Sequence, residues 1–250
     1  MTQWSSRSHS DVWGPLADAF IALAATPDDV PSIGVQLNAL VQLAADRVAA
    51  VDYASVTALC DDAYTTVAAS SELAVAVDQA QYADQDGPCL QALHAKTPVT
   101  VPDIGKTMTW PGFRDAAAGL GLHASVSIPV FAGSGATIAA LNLYGRDAAA
   151  VAPLIVRVCA VYQSERYDVD RPLFTDHDRR PPLDAGGEEL LAGIAGALTV
   201  RATIQTALGV IMGRSPASAG DAYLKLRLYA ADTGVCLSAA ASTIVSIQGR

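Results

Sequence analysis

The chain has 250 residues, 51% of them hydrophobic and 16% charged, with a formal net charge of −9. That balance excludes an intrinsically disordered chain and gives room for two domains of ordinary size. The acidic excess lies wholly before Glu188: from there on five cations face four anions, so the preceding part carries −10 and repels nucleic acid.

Two amphipathic helices are predicted at the front. One lies near Val12 to Ala25; the other starts at about Ser32, where Ile33, Leu37, Leu40, Val41, Ala44 and Val48 share a face suited to lying across a sheet. β-Prone runs at Ala54 to Cys60 and Tyr64 to Ser70 are joined by Asp61-Asp62-Ala63, a connection of hairpin length. A helix from about Leu73 is ended by Gln85-Asp86-Gly87-Pro88. Pro98 to Pro102 reads as a short edge strand and Trp110 to Leu120 as a helix. His123 to Phe131 and Thr137 to Tyr144 read as two strands around Gly133-Ser134-Gly135, and a helix from about Asp147 to Tyr162 follows. This order predicts an antiparallel sheet with helices on one face and a cavity beneath the middle segment. Ser164 to Gly187, punctuated by Arg179-Arg180-Pro181-Pro182 and Gly186-Gly187, reads as a linker.

Beyond it, Leu190, Ile194, Ala197, Ile204, Leu208 and Ile211 recur at alternating steps of four and three, interrupted on the seam by Arg201. The spacing predicts one long helix with a coiled-coil-like seam, and Leu190, Ile194, Ile204, Leu208 and Ile211 are the candidate dimer contacts. An amphipathic helix packed on its own domain has the same pattern. Ser218 and Asp221 have the spacing of a capping box for a second helix carrying Ala222, Leu226 and Ala230, which Gly234 ends. Leu237, Ala241, Ile244 and Val245 share one face of a third.

Arg201-x-x-Ile204-x-x-Ala207-x-Gly209-x-x-Met212-x-Arg214, followed by Ser218-x-x-x-Ala222, Leu226-Arg227, Ala230 and Leu237…Ala241…Ile244, resembles an ANTAR domain, the RNA-binding module of AmiR- and NasR-type antitermination regulators. The resemblance implies binding of hairpin RNA in leader transcripts, without catalysis. Cationic side chains would meet phosphates and 2′-hydroxyls, and Arg214, Lys225 and Arg227, with Arg201, are the candidate RNA contacts. Two departures weaken the implied contact with phosphate. Leu208 stands where many members carry lysine, and the third helix, Val235 to Gln248, has no basic residue. A solvated helix face paired with Asp221 is the alternative reading of Lys225 and Arg227.

In the front part, Asp86-Gly87-Pro88-Cys89, Trp110-Pro111 with Phe113, Ser127-Ile128-Pro129 and Ala140-Leu141-Asn142-Leu143-Tyr144 resemble the GAF units that precede ANTAR domains. The implied organisation is α+β. An N-terminal helix spans 1–30, an antiparallel-sheet GAF sensor domain with flanking helices 31–163, a linker 164–187, and an all-α three-helix ANTAR unit 188–250. A small-molecule ligand of unknown identity and a homodimer are the partners implied beside RNA.

Trp110, Phe113 and Tyr144, with Cys89, are candidate ligand-pocket residues, and core packing is the competing role for the aromatics. Cys89 follows Gly87-Pro88 at a helix start, where unpaired N–H groups favour a thiolate. The alternative readings are a ligand- or redox-sensing dimerisation module without RNA binding, and, resting on Cys89, a methionine sulfoxide reductase of the GAF type. Cys60, Cys89, Cys159 and Cys236 form no C-x-x-C pair, and His9, His94, His123 and His177 no ligand cluster, so no metal or other cofactor is expected. No phosphate-binding Gly loop or hydrolase motif is present, and the chain reads as no enzyme. Met1 to Asp11 lacks a signal-peptide core and the apolar stretch Ala148 to Tyr162 is broken by Pro153 and Arg157, which predicts a cytoplasmic protein free of membrane spans.

Overall fold

The computed structural model describes residues 14–166, 182–214 and 216–248. Val12, the Arg179-Arg180 pair and most of the predicted linker lie outside them. The front part contains α1 (Pro15–Ala24), α2 (Ser32–Arg47), β1 (Tyr53–Cys60), β2 (Ala63–Ala69), α3 (Glu72–Asp84), α4 (Pro88–Ala95) and β3 (Val99–Val101). It continues through α5 (Pro111–Gly119), β4 (Ala124–Phe131), β5 (Thr137–Gly145) and α6 (Ala148–Arg166). The tail is α7 (Ala185–Arg214), α8 (Ala219–Thr233) and α9 (Leu237–Gln248).

The five strands pair antiparallel in the order β2-β1-β5-β4-β3. Asp61 and Asp62 close the first hairpin with φ of 49° and 63°, the two left-handed positions that let a two-residue turn follow the twist of its strands. Directly paired residues share a face. Ala54 and Val56 of β1, Leu141 and Leu143 of β5 and Val126 and Ile128 of β4 therefore point together into the main core, against α1, α2, α6 and the first half of α7. Ser55, Thr57, Asn142, Tyr144, Ser125 and Ser127 line the opposite face. Helices α3 and α4 cover that face, so helices flank both sides of the sheet and not one. Period-two polar positions suggest a solvated sheet face; here they are buried under a second helical layer.

Helix α7 links two cores. Its first half lies along α1, where a Cβ at Gly193 would come within 2.8 Å of the Ala17 Cα. Gly186 and Gly187, expected to break the chain, lie inside the first turn of α7, and Gly186 sits so close to the Arg47 carbonyl that no side chain fits. Glu189 ties this end down: it accepts from the Arg47 Nε at 2.9 Å and from the Leu16 N–H at 3.3 Å. The second half packs Ile204 and Ala207 against Leu226, Ala230, Leu237, Ala240 and Ala241 of the other tail helices. The Ser218–Asp221 capping box is formed, and Gly234 ends α8 in the left-handed conformation.

The residues of the candidate dimer seam pack within the chain. Leu190, Ile194 and Ala197 are buried in the sheet core, whereas Ile204 is buried, and Leu208 and Ile211 partly buried, in the tail core. The heptad spacing reported a real apolar stripe, but the chain's own elements cover it. By length and hydropathy α7 is the one described helix able to cross a membrane, yet these apolar positions are committed to the two cores.

Candidate functional sites

Beneath α3 and α4, the polar sheet face forms one hydrogen-bonded network. Asp78 projects from α3 onto it, because Ala74, Val77, Asp78 and Gln81 fall on the buried side of that helix. Its carboxylate accepts from the Tyr144 hydroxyl at 2.7 Å, the Thr66 hydroxyl at 2.9 Å and the Asn142 Nδ2 at 3.3 Å. The Asn142 amide also donates to Ser55 and Thr57, at 3.2 and 2.9 Å. Tyr82 bridges Thr57 and Thr66 at 2.9 Å each, and Gln81 donates to Tyr144 at 3.3 Å while accepting from the Cys89 N–H at 3.0 Å. Every donor to Asp78 is neutral. Burial outweighs those hydrogen bonds and pushes its carboxyl up to about 6. The same burial raises the Tyr144 and Tyr82 hydroxyls, with the Asp78 charge adding to both. Three oxygens on this face, Asn142 Oδ1, Ser125 Oγ and Ser127 Oγ, are buried without a hydrogen-bond partner.

Of the four pocket residues read from the sequence, Tyr144 belongs to this network and Phe113 to the small core that adjoins it. Trp110 is partly buried at its edge and donates from Nε1 to Asp86 at 3.1 Å. Cys89 is wholly buried, and burial, reinforced by the Asp78 charge, pushes its thiol up rather than toward a thiolate. Burial therefore works against the reactive-thiol reading of Cys89, since desolvation opposes any benefit from the helix start. The thiol whose pKa is lowered is the exposed Cys236, chiefly through its contact with the Ser238 hydroxyl at 3.3 Å. Asp78, Asn142, Gln81 and the serines were missed. For the strand residues the signal was the polar alternation Ser55-x-Thr57, Ser125-x-Ser127 and Asn142-x-Tyr144, which does not include Asp78 and Gln81 of α3.

The four predicted RNA contacts are distributed differently. Arg214 is exposed at the end of α7 and has no partner among the described residues. Lys225 is exposed on α8, near Asp221, whose carboxyl is held below its ordinary range chiefly by the Ser218 hydroxyl and N–H, with a smaller contribution from the Lys225 charge. Arg227 instead donates to Asp29, in the α1–α2 loop, at 2.9 Å. Arg201 is taken by the front part: its Nε donates to the Gly135 carbonyl at 2.9 Å and its guanidinium lies 4.1 Å from the Phe131 ring centre. In this arrangement Arg201 fastens the tail to the front part, as a polar residue in a seam can serve an intramolecular partner. Leu224 and Leu228, one turn apart beside these cations, are about half exposed.

The front part is thus a sheet domain enclosing a polar site, and it carries a helical tail with exposed cations. A family model for the GAF domain matches residues 35–158, and one for the ANTAR domain matches residues 193–245. The chain belongs to the GAF–ANTAR regulators: it joins a sensor-type domain to an RNA-binding antitermination domain, an architecture that is regulatory and not catalytic. Among solved structures, a domain of a candidate two-component sensor histidine kinase protein from Sinorhizobium meliloti 1021 is similar at 12% identity. The likeness covers 70% of this chain and 93% of that one, with a TM-score of 0.36. No curated protein matches the chain.

Proposed function

We propose that this protein is a signal-responsive, cytoplasmic antitermination regulator that binds hairpin RNA in leader transcripts through its ANTAR unit, and that docking on the GAF domain restrains that binding. The supporting observation is the division of the tail cations. Arg214 faces solvent with no partner among the described residues, while Arg227 is held by Asp29 of the acidic front part. An RNA phosphate competes with Asp29 for the same guanidinium. A ligand that changes the front domain can then change the charge available to RNA, provided that it binds the docked and undocked forms unequally.

Full-length protein titrated with tandem RNA hairpins at several salt concentrations tests this. Asp29→Asn releases Arg227, and because exposed ion pairs are weak, it should tighten binding only about two- to fivefold. Arg214→Glu with Lys225→Glu should weaken binding at every hairpin sequence and flatten its salt dependence. An intact protein that binds no hairpin at low salt would remove the RNA assignment.

A second reading is supported by α9, whose polar outer side chains Ser242, Thr243 and Ser246 are exposed and uncharged. A signal-controlled dimerisation module needs no cation there. It predicts a ligand-dependent change in sedimentation without RNA affinity.

A further inference from the structure

The buried network has an imbalance. Asp78 is a carboxylate enclosed by neutral groups, and no described cationic side chain lies within ion-pair distance of it. Removing an unpaired carboxylate from water is unfavourable unless a proton or a positive charge compensates it. Beside it, the Nδ2 of Asn142 is committed to Ser55, Thr57 and Asp78, which fixes its Oδ1 as the unused acceptor. Ser127 stands directly opposite Asn142 in the β4–β5 pair, and Ser125 follows one pleat further along. Both hydroxyls are buried and unpartnered. Adjacent strands are about 4.8 Å apart and alternate residues about 6.8 Å, so this row spans a molecule of only a few heavy atoms.

Resting on the reading of the GAF domain as the sensing unit, we propose that its ligand carries a small protonated nitrogen, of the ammonium, primary amine or amidinium class. Asp78 would supply the counter-charge, and Asn142 Oδ1 with Ser127 Oγ would accept its N–H groups. An anion is disfavoured by the Asp78 carboxylate. An apolar ligand would leave all three oxygens unsatisfied. An uncharged amide could use the acceptors but would leave Asp78 uncompensated. Tyr82, Tyr144 and Cys89 face the carboxylate from the sheet and from α3 and α4, and burial disfavours ionisation of each, so Asp78 is the group of this cluster that changes charge near neutrality. Binding therefore weakens about tenfold for each pH unit below about 6, as the carboxyl takes up its own proton.

Full-length protein is titrated calorimetrically with ammonium, methylammonium and guanidinium chlorides, with sodium chloride at equal ionic strength as the reference. The expected result is saturable binding of at least one nitrogen cation and none of sodium. That affinity should fall about tenfold or more in Asp78→Asn, and several-fold in Ser127→Ala, which removes one acceptor and leaves the carboxylate in place. Responses equal to sodium, as ordered water in the site would give, overturn the proposal. Binding unchanged in Asp78→Asn, or unchanged between pH 7 and pH 5, overturns it as well. RNA affinity measured on the same protein separates the two readings. Amine binding without any change in RNA affinity upholds the ligand class and removes its regulatory role, whereas hairpin binding without amine binding overturns the ligand class alone.

Discussion

Asp78→Asn should become progressively more stable than the parent protein as pH rises from about 4 to about 7. In the folded chain the Asp78 carboxyl titrates near 6, against 3.8 for the ordinary group. The folded state therefore holds this proton where the unfolded chain has released it, and the contribution is fully present below about 4. It is lost as pH rises through about 6. About two pKa units correspond to about 3 kcal/mol between the two ends of this window. An asparagine keeps an acceptor for Tyr144 and gains a donor for Thr66, but cannot ionise. Denaturant melts of both proteins at half-unit pH intervals isolate the effect, since other carboxylates titrate alike in each. A stability difference that is flat across the window would mean that Asp78 is already compensated at neutral pH.

The second large effect lies in α7. Leu190 is fully buried in the sheet core, and Ile204 is fully buried in the tail core. Truncation of either to alanine should cost about 2–5 kcal/mol. The more informative expectation is that both act on one unfolding transition, because a single helix supplies side chains to both cores and Glu189, Arg201 and Arg227 fasten the two parts together. Unfolding followed by calorimetry and by tryptophan fluorescence should coincide for the parent and for both variants. Two separate transitions, each moved by only one substitution, would show that the tail unfolds independently of its attachment.

Much of this architecture was legible in local patterns. Every strand was placed, with its ends shifted by a residue or two, since alternation, hairpin-length loops and proline at an edge act over a few residues. The capping box and the glycine stop of α8 were legible for the same reason. What could not be read was what lies across from a pattern. The stripe on α7 was identified, but a periodic stripe does not say whether α1, α8 or another chain covers it. Gly186-Gly187 looked like a break because the approach of Arg47 lies far away in sequence. Cys89 was read from its helix start, whereas its protonation is governed by burial and by Asp78, which only the packing of α3 on the sheet discloses. Arg201 and Arg227 were recognised as cations, and their partners, Gly135 and Asp29, became visible only in three dimensions.

The packing of α1 along α7 bears on how such proteins can be recombined. Cut at the limits of sequence similarity, the ANTAR segment 193–245 looks like a portable cassette. Moved behind another sensor, it would leave behind Leu190, Glu189 and the Gly186 contact, and would uncover Gly193 where Ala17 and Phe20 now lie. A graft that keeps the docked arrangement must carry α1 from the opposite end of the chain as well as α7 from Ala185. Exchange of sensors among these regulators is accordingly easiest between donors that share this helix pair, and shuffling at the apparent domain border should produce chimaeras whose output no longer follows their input.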